Sequence, residues 1–125
     1  MELNHDCVRD ILIWVENNVQ ISKPRYTDDL IDDLQDRWSK MEIVYCVAQL
    51  NEAGLLDGGA IIDGGAVSIN SITKLTWNGH EYLDNIRDDK VWKETKKTIF
   101  SKIGSASLSI VGSVASKIIE SRLGL

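Results

Sequence analysis

Apolar residues recur at helical spacing three times in the first half of the chain. The first recurrence predicts a helix over about 5–18, with an apolar face made by Val8, Ile11, Leu12, Val15 and Val19. The second covers 30–34 and predicts a short helix for which Thr27 is the N-cap. The third predicts a helix over 39–53 that ends at Gly54, since glycine commonly follows the last helical turn.

The period then changes from helical to alternating. Residues 55–63 and 67–75 read as two strands, and Gly64-Gly65 between them is a hairpin-type turn. A hairpin that directly follows a third helix is typical of the wing of a winged helix. We therefore expect a mainly α fold with a small β-hairpin: a winged helix-turn-helix core over 1–88, followed by C-terminal helices over 89–125.

Two helices are expected in the C-terminal extension. The first, over about 90–103, carries an apolar stripe of Trp92, Thr95, Ile99 and Ile103. The second lies within 105–125 and combines apolar with small residues on one face, Leu108, Val111, Gly112, Ala115 and Ile118. It could pack on its own core, pair with a second copy or lie on a membrane. The small residues favour self-association, and the single lysine of the helix disfavours a membrane surface.

Composition narrows the class of protein. Apolar residues make up 43% and charged residues 26% of 125 residues, which is typical of a globular domain. No segment resembles a membrane span or a secretory signal, so we expect a cytoplasmic protein. Cys7 and Cys46 are expected to be buried free thiols, because neither they nor His5 and His80 show the paired spacing of a zinc site. No metal and no cofactor is predicted.

Charge is distributed unevenly along the chain. The net charge is −5, yet residues 90–125 carry seven bases and two acids, so the tail is basic and the body is acidic. Four aspartates lie in the short second helix, Asp28, Asp29, Asp32 and Asp33, and three lysines share a face of the fifth, Lys93, Lys96 and Lys97. Each set is either a solvated surface or a surface for a protein partner. A divalent ion is a third alternative at the aspartates, and a phosphate-binding stripe is a third alternative at the lysines.

Several segments resemble a known family. They are residues 72–92 (ITKLTWNGHEYLDNIRDDKVW), 51–56 (NEAGLL) and 122–125 (RLGL). Together they resemble a family of small phage, prophage and bacterial proteins known only as a domain of unknown function. The resemblance covers most of the chain and implies a winged-helix-like fold in a mobile-element setting. It implies no activity, so it provides no catalytic residue.

The residues offer little chemistry of their own. His80 and Glu81 are adjacent on a helix and point about 100° apart, so they do not converge on one reactive centre. Gly58-Gly59 and Gly64-Gly65 lack the lysine and the helix that a phosphate-binding loop needs. We therefore expect no catalytic residue and a protein that is not an enzyme.

DNA binding is the usual function of the predicted fold. The third helix would enter the major groove with its first residues, and Ser39 with Glu42 forms a capping box there. The candidate DNA contacts are few, namely Arg37, Ser39, Lys40 and Lys74. Affinity for DNA depends on several phosphate contacts, and the neighbouring aspartates oppose them.

We therefore predict a non-enzymatic binding protein of phage or prophage type. It would act through protein–protein interaction as a homo-oligomer, with a host or phage protein as a further partner. The alternative is a DNA-binding transcriptional regulator that uses the 39–53 helix.

Overall fold

The computed structural model describes residues 1–125 and is mainly α-helical with one small antiparallel sheet, as predicted. The helices are α1 (His5–Asn18), α2 (Thr27–Leu34), α3 (Lys40–Glu52), α4 (Trp77–Ile86), α5 (Asp89–Lys102) and α6 (Leu108–Arg122). The strands are β1 (Arg25–Tyr26), β2 (Leu56–Asp63) and β3 (Ala66–Leu75). The chain forms two compact units, Met1–His80 and Glu81–Leu125.

Side chains cap α1 and α3 and also join them. Asn4 Oδ1 accepts a hydrogen bond from the Cys7 amide (3.0 Å), and Ser39 Oγ accepts one from the Glu42 amide (3.1 Å). Glu42 does not reach back to its own helix start, as a complete capping box would require. Its Oε1 accepts instead from Asn4 Nδ2 at 2.9 Å, so the cap of one helix holds the first turn of the other.

Thr27 has a different role from the predicted cap. The N-cap of α2 is Tyr26, which makes no side-chain capping bond, and Thr27 is the first helical residue. Its fully buried hydroxyl donates toward two strand carbonyls, Gly59 O at 2.7 Å and Asn70 O at 2.8 Å. The prediction of a Thr27 cap was wrong because these strand acceptors, distant in sequence, bind the hydroxyl in place of a helix amide.

The sheet has the strand order β1-β3-β2. The hairpin of β2 and β3 pairs Ala60 with Ile69 and Ile62 with Val67, and its register shifts on both sides of Gly58. Strand β1 consists of two residues that pair with Ile72 and Ser71. No alternating pattern exists in so short a strand, and the sequence therefore predicted only two of the three strands.

The core of the first unit is built from the predicted helical faces. The largest fully buried side chains come from α1, α2, α3 and the sheet, and include Ile11, Leu12, Leu30, Ile43, Leu50, Leu56 and Ile72. These elements pack around one apolar interior, and the base of the hairpin lies over α3.

In the second unit, α5 and α6 pack against each other. Trp92, Thr95 and Ile99 are buried as the predicted stripe requires, whereas Ile103 is 65% exposed. Ile103 departs from the stripe because α5 ends at Lys102 and Gly104 then takes a positive φ of 79°, which turns the chain out of the helix.

Candidate binding groove

An apolar groove lies between α3 and the β2–β3 hairpin. We call it the α3–hairpin groove; it has a volume of about 760 Å³ and is lined by Met1, Ser39, Lys40, Met41, Val44, Tyr45, Ile62, Val67 and Ile69. Volumes of this order are typical of ligand and peptide sites. The charged side chain in the lining is Lys40.

Strand alternation explains why the hairpin gives the groove an apolar wall. Residues paired directly across an antiparallel ladder point to the same face, so Ile62 and Val67 share a face with Ala60 and Ile69. Ala60, near the base, is fully buried, while Ile62, Val67 and Ile69 are 42%, 50% and 39% exposed. The face is therefore buried at its base and open to solvent along its outer half.

Helix α3 forms the other wall. Met41 is 72% exposed, Val44 is buried and Tyr45 is half-buried. The Tyr45 hydroxyl donates to the Met1 carbonyl at 3.2 Å, and both residues line the groove. Met41 and Tyr45 are four residues apart and lie on one side of the helix.

Polar bonds fix the base of the hairpin against α3. Asn51 of α3 donates to Ala60 O and accepts from the Gly58 amide, both at 3.2 Å. Asn70 Oδ1 accepts from the Gly59 amide at 2.6 Å, and Thr27 donates to the same glycine's carbonyl. These bonds satisfy backbone groups that the irregular register leaves outside the ladder, so buried and part-buried hydrogen bonds hold the base of the hairpin at a fixed distance from α3.

The opposite face of the hairpin offers a natural comparison. Ile61 pairs with Ser68 and points away from the groove, with 51% of its surface exposed. Ile61 and Ile62 are thus adjacent residues of the same type and similar exposure on opposite faces of one strand.

The structure does not gather the predicted DNA contacts into one site. Arg37 Nη1 pairs with Asp10 Oδ2 at 2.8 Å, and its guanidinium lies 5.5 Å from the Trp38 ring centroid. Trp38 Nε1 donates to the same Asp10 carboxylate at 2.9 Å. Ser39 and Lys40 line the α3–hairpin groove, while Lys74 lines a separate cavity of about 380 Å³ together with residues of α1.

Half of the predicted acidic surface already has partners within the chain. Asp29 pairs with Arg25 at 3.3 Å, and Asp33 accepts from Trp14 Nε1 at 2.7 Å. Asp28 and Asp32 are exposed. Asp29 and Asp33 thus help to hold α2 in place while they remain at the surface, where Asp33 is exposed and Asp29 is half-buried.

The basic face of α5 is solvated. Lys93 and Lys97 are exposed, and Lys96 Nζ lies 5.7 Å from the centroid of the Trp92 ring. Phe100, on the same face, is 79% exposed.

The helix predicted for oligomerisation is partly covered by its own unit. Val111 and Ala115 are buried, and Gly112 lies beside the Tyr82 ring, 3.4 Å from where a Cβ would be. Leu108 and Ile118 are half-buried. The packing of α6 on α5 thus uses the centre of the predicted face, and contact of this face with a second copy stays a prediction.

The buried titratable groups of the interior include two cysteines and Tyr82. Cys7 and Cys46 are fully buried neighbours, and the hydrogen bond to Cys46 together with burial raises the pKa of Cys7. Burial also raises the pKa of Tyr82. No three histidine, cysteine or acidic side chains come together as a metal site, and no helix has both the length and the apolar character needed to cross a membrane.

Sequence reasoning missed the groove, although it held a signal. The second strand was predicted to alternate, yet Ile61-Ile62 and Val67, Ile69 place apolar residues on both faces of the outer hairpin. A wing that bound phosphates would carry bases there. The outer hairpin thus has more apolar residues than the core needs, and these residues indicate the groove surface.

Comparisons with known proteins identify a family for this chain and no activity. The family described as "Hypothetical protein (DUF2513)" matches residues 2–105. A protein of Haemophilus influenzae (strain Rd), described as "Uncharacterized protein", is 34% identical over 125 residues, which cover 98% of this chain and 99% of that protein. No solved structure matches the chain. The match over most of its length shows that this chain belongs to the DUF2513 family.

Proposed function

We propose that Met1–His80 is a winged-helix module that binds protein rather than DNA, and that its α3–hairpin groove receives an amphipathic helix of the partner. The observation that carries the proposal is the apolar lining of the groove. The order α1-β1-α2-α3-β2-β3, with the sheet order β1-β3-β2, supports the winged-helix interpretation. In that interpretation α3 is the recognition helix and the hairpin is the wing.

The surface between these two elements favours an apolar partner. A DNA backbone needs several bases that are free to release counterions. Here Arg37 is bound to Asp10, and Lys40 is the base that lines the groove. Exposed apolar side chains such as Met41 and Val67 gain more from contact with a helix face than from contact with phosphates.

Charge specifies the partner further. The first unit carries thirteen acids and six bases, a net of −7. A partner helix with an apolar ridge at i, i+3, i+4 and i+7, flanked by lysine or arginine, is complementary to both the lining and its surroundings. The phage or prophage setting implied by the resemblance makes a host or phage protein such a partner, and the proposal includes no enzymatic step.

A yeast-displayed library of random helical peptides tests the proposal on the full chain. We expect the selected peptides to share an apolar ridge with basic flanks. Ile62→Asp places a charge in the groove and should weaken their binding by more than about tenfold, equivalent to about 1.4 kcal/mol. The matched variant Ile61→Asp changes the opposite face of the same strand and should leave affinity within about twofold.

Equal effects of the two variants would exclude the groove as the binding site. A mobility-shift assay with mixed DNA fragments tests the other class of partner. Tight binding at about 150 mM salt that is lost in an Arg37→Ala/Lys40→Ala variant would overturn the protein proposal and support a DNA-binding regulator.

A further inference from the structure

Helix α5 presents an apolar and basic face that nothing in its own unit covers. Phe100, the one phenylalanine of the chain, is 79% exposed, and Ile103 just beyond the helix end is 65% exposed. Lys93 and Lys97 precede Phe100 by seven and three residues and therefore lie on the same face of the helix. A large aromatic side chain in water beside lysines is typical of an interface anchor.

This face is shorter than a full apolar ridge, but it combines two exposed apolar anchors, Phe100 and Ile103, with flanking lysines. Helix α5 carries five lysines against Asp89 and Glu94, a net of +3, while the first unit has a net of −7. A groove of about 760 Å³ has room for a phenylalanine and an isoleucine side chain together. Asp28 and Asp32, exposed in the same unit as the groove, add to the negative field that attracts lysines.

We infer that the partner helix is α5 of a second copy, whose Phe100 and Ile103 enter the α3–hairpin groove. The inference rests on the proposed function and deepens it by naming the occupant. The contact is heterologous, since two different surfaces of the same chain meet. It closes as a reciprocal dimer or a ring, or it propagates as a chain of copies.

This contact differs from the pairing of α6 helices expected from the sequence. The centre of that α6 face, Val111 and Ala115, is buried in its own unit, whereas Phe100 and the groove are both open. Heterologous contacts also make a specific demand: each copy must supply a groove and an α5 face.

Sedimentation velocity of the full chain from about 10 µM to about 1 mM tests the inference. We expect wild type and Ile61→Asp to self-associate and both Ile62→Asp and Phe100→Asp to be monomeric. An equimolar mixture of the last two should form a dimer and nothing larger, because one variant supplies the intact α5 and the other the intact groove. Dimerisation of the mixture also shows that both variants are folded.

Other outcomes would overturn the inference. If Phe100→Asp associates like wild type, α5 is not the occupant. The same follows if wild type forms open chains, in which each junction is a single contact, while the mixture stays monomeric. If wild type itself is monomeric throughout, no second copy binds. The proposed function fails separately, when library peptides bind Ile62→Asp as well as they bind Ile61→Asp.

Discussion

The hydroxyl of Thr27 provides the sharpest test of how the groove is positioned. It is fully buried and donates toward Gly59 O and Asn70 O at 2.7 and 2.8 Å. The substitution Thr27→Val retains the shape and the β-branch of the side chain but removes the donor. Helix propensity changes little, so the experiment isolates the hydrogen bonds.

The magnitude follows from the partners that are left behind. Gly59 is buried and lies outside the paired register of the ladder, so Thr27→Val removes the buried hydrogen bond that its carbonyl accepts. An unsatisfied buried group costs about 1–3 kcal/mol. The new methyl offsets at most about 0.8 kcal/mol of this through its burial. We therefore expect Thr27→Val to lower the free energy of unfolding by about 1–2 kcal/mol.

Urea denaturation followed by circular dichroism measures this difference. The midpoint should fall by roughly 0.3–2 M with an unchanged slope, because the slope in urea is about 1–3 kcal/mol per molar for small proteins. The matched control is Thr73→Val. The Thr73 hydroxyl donates to Asp57 O (3.1 Å) and Oδ2 (2.7 Å) at an exposed position, where water replaces it, so the expected change is within about 0.5 kcal/mol. Equal midpoints for the two variants would refute the role of the buried hydroxyl.

Three further predictions concern the backbone and the titratable groups. Gly59→Ala should lower the free energy of unfolding by about 1–3 kcal/mol in the same assay, because φ is +104° and the new Cβ would lie 2.5 Å from Val47 Cγ1. The control Gly64→Ala, with φ of +55° and open space around the Cβ, should cost less than about 1 kcal/mol. Equal costs for the two variants would contradict the packing argument. Iodoacetamide at about pH 8 should leave Cys7 unmodified in the folded protein and modify it in denaturant, because its bond to Cys46 and burial raise its pKa. The folded state favours the neutral thiol, so this contribution to stability is complete below the unfolded pKa of about 8.5 and declines as pH rises above it. Rapid labelling of Cys7 in the native state would contradict the prediction. NMR of the Val91 amide as a function of pH should report an Asp88 pKa below about 3.9, because the hydrogen bond from that amide lowers the pKa. The Asp88 cap of α5 therefore stabilises the helix above about pH 3.9, and this contribution is lost as pH falls through the folded pKa. A midpoint at or above about 3.9 would show that the cap is absent in solution.

The sequence was informative wherever a local pattern determines the structure. The apolar periodicity located α1 and α3 to within a residue or two, and Gly64-Gly65 located the hairpin turn. Thr27 and β1 were misread or missed because their bonding partners lie more than thirty residues away. Local patterns carry no information about such partners.

The candidate site was predicted less well than the fold. The sequence indicated charged residues as candidate contacts for DNA or a partner. Three of them, Arg37, Asp29 and Asp33, have partners within the chain. The groove is made by apolar residues such as Met41 and Val67, and apolar residues in a sequence are ordinarily predicted to lie in the core. Only the three-dimensional packing shows that the core was already complete without them.

The hairpin separates two kinds of positions, and this has an evolutionary consequence. At its base, Asn51 and Asn70 make part-buried hydrogen bonds and a Cβ on Gly59 would meet the Val47 side chain, so most substitutions there cost stability. Toward its tip, Ile62 and Val67 are half exposed and support little of the core. Substitutions at the tip can therefore accumulate at little cost in stability, whereas substitutions at the base, which sets the distance between the groove's walls, are constrained.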